Sequence, residues 1–124
     1  MNFVDTGTAP SPGGHYSQAV VCGGFLFVSG QLPIDPATGE RSRGSIEEQA
    51  LLALRNVIAI VEAAGSDLTK VVRTTVYITD VAHWGAVNDV YRRVFGDHRP
   101  ARSVVPVSEL HYGVLVEIEA IAAI

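Results

Sequence analysis

Two carboxylates leave one face of an apolar segment near the C-terminus. In Val114-Leu115-Val116-Glu117-Ile118-Glu119-Ala120-Ile121, Glu117 and Glu119 stand two residues apart, and an extended strand returns its side chains to the same face every second residue. Their neighbours are apolar, so this face is either a solvent-exposed end of a sheet or the wall of a protected pocket. In a pocket, one Glu can take a proton from water. Burial would raise its pKa, and a nearby Arg would lower it. Arg102 is a cation suited to such a site. It follows Pro100-Ala101, which sets an extended approach, and its guanidinium fork can grip a small carboxylate through two parallel hydrogen bonds. A solvated side chain or a salt-bridge member is the other reading of Arg102. Arg92, Arg93, His98 and Arg99 read as a solvated helix end that suits the helix dipole.

Other polar residues carry less chemistry on their own. Asn88 lies beside the apolar stripe of a helix, as a surface amide or as a polar group facing a site. Tyr16 and Tyr112 flank turns and are packing groups or substrate-facing hydroxyls. Ser29-Gly30 lies outside any nucleophile-elbow or phosphate-cradling pattern. His15, His83, His98 and His111 lack paired ligand spacing, so no metal site is expected. Cys22 sits in an apolar strand and is expected to pack in the core.

These residues must be positioned by a small set of elements. Ala19-Val20-Val21-Cys22 and Phe25-Leu26-Phe27-Val28 flank Gly23-Gly24 and predict a β-hairpin. A helix follows a capping box made by Ser45 and Glu48. Its apolar stripe runs through Ala50, Leu54, Val57, Ile58 and Val61, and Gly65 follows as a C-terminal cap. Lys70 to Thr79 alternates as a strand, with Val72, Thr74, Val76 and Ile78 on one face and Val71, Arg73, Thr75 and Tyr77 on the other. A second helix, entered from Asp80, carries Trp84, Val87, Val90, Tyr91, Val94 and Phe95 and closes at Gly96. Arg102 to Val107 reads as a short strand that Pro106 places at an edge or a bulge. Gly113 to Ile121 reads as the last strand. With a short first strand near Phe3-Val4, the order predicts an α+β domain with two helices on one face of a sheet. The other face, carrying Val71, Tyr77, Leu115 and Ile121, would need a cover from another subunit.

Composition agrees with a small, partnered domain. The 124 residues suit one domain spanning 1–124. Nine basic against thirteen acidic residues give a net charge of −4, and binding to nucleic acid is not expected on this balance because phosphate contacts need clustered Lys and Arg. One cysteine permits no intrachain disulfide and suits a reducing, cytoplasmic setting. No apolar run approaches the ~20 residues that span a membrane, and the start, Met1-Asn2-Phe3-Val4-Asp5, lacks the pattern of a signal peptide. The chain is 48% hydrophobic and 18% charged, with a mean hydropathy of +0.26. That is more apolar character than so small a monomer needs, which points to copies of itself as the cover.

The ordered fragments identify a family likeness. Gly14-His15-Tyr16-Ser17-Gln18-Ala19, Phe27-Val28-Ser29-Gly30-Gln31-Leu32-Pro33, Asp35-Pro36-Ala37-Thr38-Gly39, Val61-Glu62-Ala63-Ala64-Gly65, Thr75-Val76-Tyr77-Ile78-Thr79-Asp80, Val87-Asn88-Asp89-Val90-Tyr91, Pro100-Ala101-Arg102-Ser103 and Val116-Glu117-Ile118-Glu119-Ala120 occur in this order. The set resembles the RidA (YjgF/YER057c/UK114) family of reactive-intermediate deaminases over nearly the whole chain. The resemblance implies a chorismate-mutase-like α+β fold and a homotrimer with active sites in the clefts between subunits. It implies hydrolysis of 2-imino acids and their enamine tautomers, such as 2-aminoacrylate, to 2-keto acids and ammonia, with no cofactor. It further implies that Arg102 holds the substrate carboxylate and that Glu117 activates the attacking water. Tyr16, Ser29, Gly30 and Asn88 would line the pocket, and Tyr112, where the sequence departs from the family pattern, is placed to narrow it and change which side chains fit.

The sequence departs from the family pattern at His15, at His111-Tyr112 and at Val104, a position that is Cys in some members. These departures bear on substrate preference more than on reaction type. Two other readings compete with the deaminase: a non-catalytic, carboxylate-binding regulatory trimer, and a pathway-specific deaminase acting on an aminomuconate-like compound. Endoribonuclease activity fits the charge poorly and lacks a basic–aromatic platform.

Overall fold

A computed structural model describes all residues 1–124. Six strands form one mixed sheet: β1 (Asn2–Val4), β2 (Ala19–Cys22), β3 (Phe25–Gln31), β4 (Val71–Ile78), β5 (Ala101–Pro106) and β6 (Val116–Ala123). The spatial order is β1-β2-β3-β6-β4-β5. Every neighbouring pair is antiparallel except β4 with β5, and parallel neighbours need a crossover connection. The helix α2 (Trp84–Phe95) supplies it. The longer helix α1 (Ile46–Ala63) connects β3 to β4. Both helices pack on the same face of the sheet.

Local chemistry explains the helix ends. The Ser45 hydroxyl accepts the Glu48 backbone N–H at 3.2 Å, which satisfies one of the free donors of the first turn. Asp80 caps a 3-10 turn, Val81–His83, that runs directly into α2. Gly96 ends α2 with a positive φ of 61°, a conformation that costs glycine least.

The core lies between the helices and one sheet face. Ala50, Ala53, Leu54, Val57, Ile60 and Val61 of α1 meet Leu26, Val28, Val116, Ile118 and Ala120 of the sheet, while Val87, Val90, Tyr91 and Phe95 seal the α2 side. The opposite sheet face carries Phe3, Phe25 and Phe27, each at least 43% exposed. Val105 is level with Tyr77 on that face, and Ile121 with Phe27.

Several expectations need correction. Val71 is buried and Val72 is exposed, because a register shift between Val71 and Arg73 breaks the alternation at the start of β4. A bulge adds one residue and so reverses which side chain points inward. Leu115 lies outside any strand, with its N–H donated to Gln49 Oε1 at 2.9 Å. Cys22 is exposed rather than buried. It ends β2 opposite Phe25, on the sheet face that the helices leave open. The last strand begins at Val116 rather than Gly113, because a 3-10 turn occupies His111–Gly113.

Candidate active site

Glu117 points away from the helices, between the inward-facing Val116 and Ile118. β6 pairs with β3, and Gln31 is level with Ile118, so the end of β3 arrives beside the Glu117 carboxylate. A Cβ at Gly30 would stand 2.1 Å from Glu117 Oε2. The carboxylate therefore rests on bare backbone, in space that only glycine leaves open. Half-burial pushes the Glu117 pKa above the usual carboxylate range; nearby His111 opposes the shift and Glu119 adds to it. Glu119 is engaged elsewhere, accepting a hydrogen bond from the Tyr77 hydroxyl at 2.5 Å. The two carboxylates that share a face thus differ in role. One is tied to a tyrosine, and the other lines a cavity.

That cavity, of about 750 Å³, is lined by Tyr16, Ser29, Gly30, Arg41, His111, Tyr112 and Glu117 among others. Ser29 donates its hydroxyl hydrogen to the Ser17 carbonyl at 2.6 Å, which leaves the oxygen lone pairs as acceptors toward the site. The Tyr16 hydroxyl accepts the Gly13 N–H at 3.2 Å. Tyr112 is the only non-glycine residue with positive φ, at 64°, and its ring lies under the Arg41 guanidinium at 3.6 Å.

Three buried amides hold the loops that wall this cavity. Gln18 accepts the Thr6 N–H at 2.7 Å and donates to the Thr6 and Pro10 carbonyls at 3.0 Å each. Asn56 donates to the carbonyls of Leu32 and Ile34 at 3.1 and 2.9 Å. Gln49 joins the Gly44 carbonyl to the Leu115 N–H, at 3.1 and 2.9 Å. Unpaired backbone groups under these loops would be costly, at about 1–3 kcal/mol each. The amides therefore fix the wall as well as satisfying the core.

Arg102 belongs to a second cavity, of about 770 Å³, with Asn88, Tyr91, Arg99 and His98 in its lining. Its Nη2 donates to Asn88 Oδ1 at 3.0 Å, and its guanidinium carbon lies 4.8 Å from the Tyr91 ring centre and 5.5 Å from that of Trp84. Tyr91 is itself pinned, because its hydroxyl donates to Thr74 Oγ1 at 3.0 Å. Burial pushes the Tyr91 pKa up to about 12, so the ring stays neutral beneath the cation. The one ion pair in the chain joins Arg92 to Asp89. Arg102 therefore has an amide and two aromatic faces as neighbours but no carboxylate. This is a fixed cation with donors still to satisfy.

The two clusters do not meet within the chain. Glu117 is level with Tyr77, and Tyr77 with Val105. Arg102 is level with Thr74. The two residues are two strands and three residues apart, roughly 10 Å in each direction. Thr74 is buried under the helices while Glu117 faces away from them, so the side chains leave opposite faces of the sheet. Tyr16, Ser29, Gly30, Tyr112 and Glu117 share one cavity, and Asn88 and Arg102 share the other.

The chain matches the family model described as Endoribonuclease L-PSP over residues 6–124. A RutC family protein of Pyrococcus horikoshii is 50% identical, over 94% of this chain and 93% of its own. The 2-iminobutanoate/2-iminopropanoate deaminase of Capra hircus is 45% identical, over 97% of this chain and 88% of its own. The chain belongs to the RidA family. RidA-family crystal structures share the fold closely. A candidate endoribonuclease of Thermotoga maritima superposes with a TM-score of 0.96 at 53% identity, covering 100% of this chain and 98% of that one. Escherichia coli TdcF with bound serine gives 0.95 at 41% identity, covering 100% and 99%.

Within this RidA-family chain, sequence reasoning passed over Arg41 and the three amides. A buried Gln and an exposed Gln look alike in sequence. The available signal was the apolar surrounding of Gln49 and Asn56 on the inner stripe of α1. Arg41 lay in a turn-rich loop without periodicity, and nothing local marked it.

Proposed function

We propose that the protein is a 2-iminobutanoate/2-iminopropanoate-type deaminase, a hydrolase that converts 2-imino acids to 2-keto acids and ammonia. The observation that carries this reading is the half-buried Glu117 carboxylate, seated against Gly30 in a cavity and free of any cation clamp. The names of relatives at 40–45% identity support the same chemistry. The opposed directions of Glu117 and Arg102 support a homotrimer in which each cleft combines the Glu117 cavity of one subunit with the Arg102 cavity of the next. The open sheet face with Phe25 and Phe27 is the surface that such an assembly would cover.

In this scheme Arg102 binds the substrate carboxylate through two hydrogen bonds, with Asn88 and the rings of Tyr91 and Trp84 holding the guanidinium in plane. Orientation of this kind removes much of the entropic part of the barrier. The protonated imine carbon is already electrophilic. A water adds its oxygen to that carbon while Glu117 takes one of its protons. The resulting carbinolamine receives the same proton on nitrogen. The C–N bond then breaks, the oxygen lone pair closes the carbonyl, and the hydroxyl proton leaves with the amine as ammonium. The sum is iminium plus water to keto acid plus ammonium, with no cofactor. A raised pKa suits Glu117 to both steps, because it holds and returns a proton nearer neutral pH.

The test is ammonia release from imines generated in situ by an amino-acid oxidase, with semicarbazide trapping as a control. Acceleration over buffer is expected, and no acceleration would refute the reading. Crystallisation of the relative TdcF with serine favours, as a second reading, a carboxylate-binding regulatory trimer. Binding of 2-ketobutyrate without imine turnover would select it.

A further inference from the structure

The Glu117 cavity holds a cation that the mechanism above leaves unused. Arg41 stacks on Tyr112 at 3.6 Å, in the same lining as Glu117, Ser29 and Tyr16. Its backbone is well anchored. Arg41 bridges Ile34, and flanking bonds run from the Asp35 N–H to the Glu40 carbonyl and from the Ser42 N–H to the Pro33 carbonyl, each at 2.8 Å. Its side chain lies outside the chain's one ion pair, that of Arg92 with Asp89. The cavity lining contains two acidic residues, Glu117 and Asp35, and Asp35 is occupied, accepting the Ala37 N–H at 2.8 Å. The groups that move the Glu117 pKa are burial, His111 and Glu119, so Arg41 is not placed to tune the base. Stacking leaves the in-plane N–H edge of a guanidinium available while limiting its rotation. The platform itself carries strain, because Tyr112 holds its left-handed backbone without being glycine, a conformation that costs about 1 kcal/mol or more. Strain concentrated at a cavity wall is a signature of function.

We propose that Arg41 makes this cavity selective for substrates with a second, side-chain carboxylate. The inference rests on the reading of the cleft as an imine-hydrolysing site. With the first carboxylate assigned to Arg102, the stacked Arg41 edge receives the second, distal to the reacting carbon. The substrate class is then a dicarboxylic 2-imino acid rather than a short neutral one.

Two measurements on the intact protein test this, one of binding and one of turnover. Calorimetry compares 2-oxoglutarate with 2-oxopentanoate, which has the same five-carbon chain without the distal carboxylate. The dicarboxylate is expected to bind about fivefold tighter, the upper end of the scale for one partly exposed ionic contact. In Arg41→Gln that ratio falls to about one, and Arg41→Lys, which keeps charge but loses the planar stack, falls between. Turnover of imines made from glutamate and from norvaline should show the same ratio and the same collapse. Equal binding of the two keto acids overturns the proposal, as does a preference that survives Arg41→Gln. An Arg41-dependent binding ratio without any imine turnover supports the second-carboxylate site and refutes the deaminase reading. Imine turnover without the preference does the reverse.

Discussion

The cavity around Glu117 and the cavity around Arg102 are similar in volume and opposite in construction. The first is walled mostly by loops, set around the end of β3 and Glu117 of β6. Its half-buried Glu117 carboxylate rests on a glycine, and its walls are tied down by Gln18, Gln49 and Asn56. The second is made of one helix, one edge strand and the loop between them. Its cation lies over the rings of Tyr91 and Trp84, with Asn88 fixing one donor. A proton-transferring carboxylate needs partial desolvation and room to shuttle between water and nitrogen, and clasped loops give both. A carboxylate-holding cation needs a fixed direction, which aromatic faces on a helix supply. On the proposed reading, placing and reacting are built separately, and on opposite sheet faces.

The comparison breaks most visibly if either side is removed. Arg102→Ala should lower kcat/KM for imino acids by about 10³-fold, the scale of two charge-assisted hydrogen bonds, and Glu117→Gln should match it. Both variants should keep wild-type circular dichroism. Mixed after unfolding and joint refolding, the two dead variants should regain about a quarter of wild-type sites, as random assembly into closed three-membered rings requires. No recovery would mean that one chain supplies both residues.

Phe27→Asp strikes the open sheet face rather than either cavity. Each Phe removed from an apolar interface forfeits about 1.5–3 kcal/mol, repeated in every subunit. Sedimentation should show smaller species at micromolar concentration, with activity reduced about 100-fold as the clefts come apart. Full activity in a monomer would end the two-subunit reading.

Gly30→Ala sharpens the comparison on one side only. The new methyl occupies the seat of the Glu117 carboxylate, which lies at the end of a flexible side chain and can swing away. Turnover should fall about tenfold, while KM for the substrate carboxylate and the melting temperature change little. A comparable loss in KM would show that the two sides are not independent.

The smallest effect is on stability. The folded chain raises the Glu117 pKa above its usual 4.5, so folding favours the protonated form. That favourable contribution is complete below the unfolded pKa and disappears as pH rises through the raised folded value. Glu117→Gln, a permanent neutral mimic, should therefore melt slightly above wild type at pH 8. The gap should close as pH falls toward 4, and the acid limb of activity should follow the same raised pKa.

Much of this arrangement is legible in the sequence. Alternation in β6 and the cap at Ser45 located the elements, and Arg102 and the Glu117/Glu119 pair stood out by their chemistry, with the family resemblance alone choosing Glu117. Pro106 narrowed β5 to an edge or a bulge, and the strand order puts it at an edge. What stayed hidden depended on pairing between distant segments. That β3 lies beside β6, so that Gly30 supports Glu117, is a fact of strand order with no local trace. The inward turn of Val71 comes from a bulge that no residue type announces. Tyr112 and Gly113 both adopt a left-handed backbone, which a tyrosine does not announce. Cys22 looked like core because its neighbours are apolar, yet strand parity at the hairpin end turns it outward.

The Gln18 clasp has a consequence in time rather than in geometry. The segment from Thr6 to Pro10 has no strand or helix of its own, yet its polar backbone is bonded to a side chain rooted at the start of the β2–β3 hairpin. Releasing it exposes a buried amide and disturbs the sheet beneath. Solvent deuterium should therefore enter the Thr6 amide on the slow schedule of the hairpin, not the fast one of a surface loop. A protease probing that stretch would likewise wait for the hairpin to open.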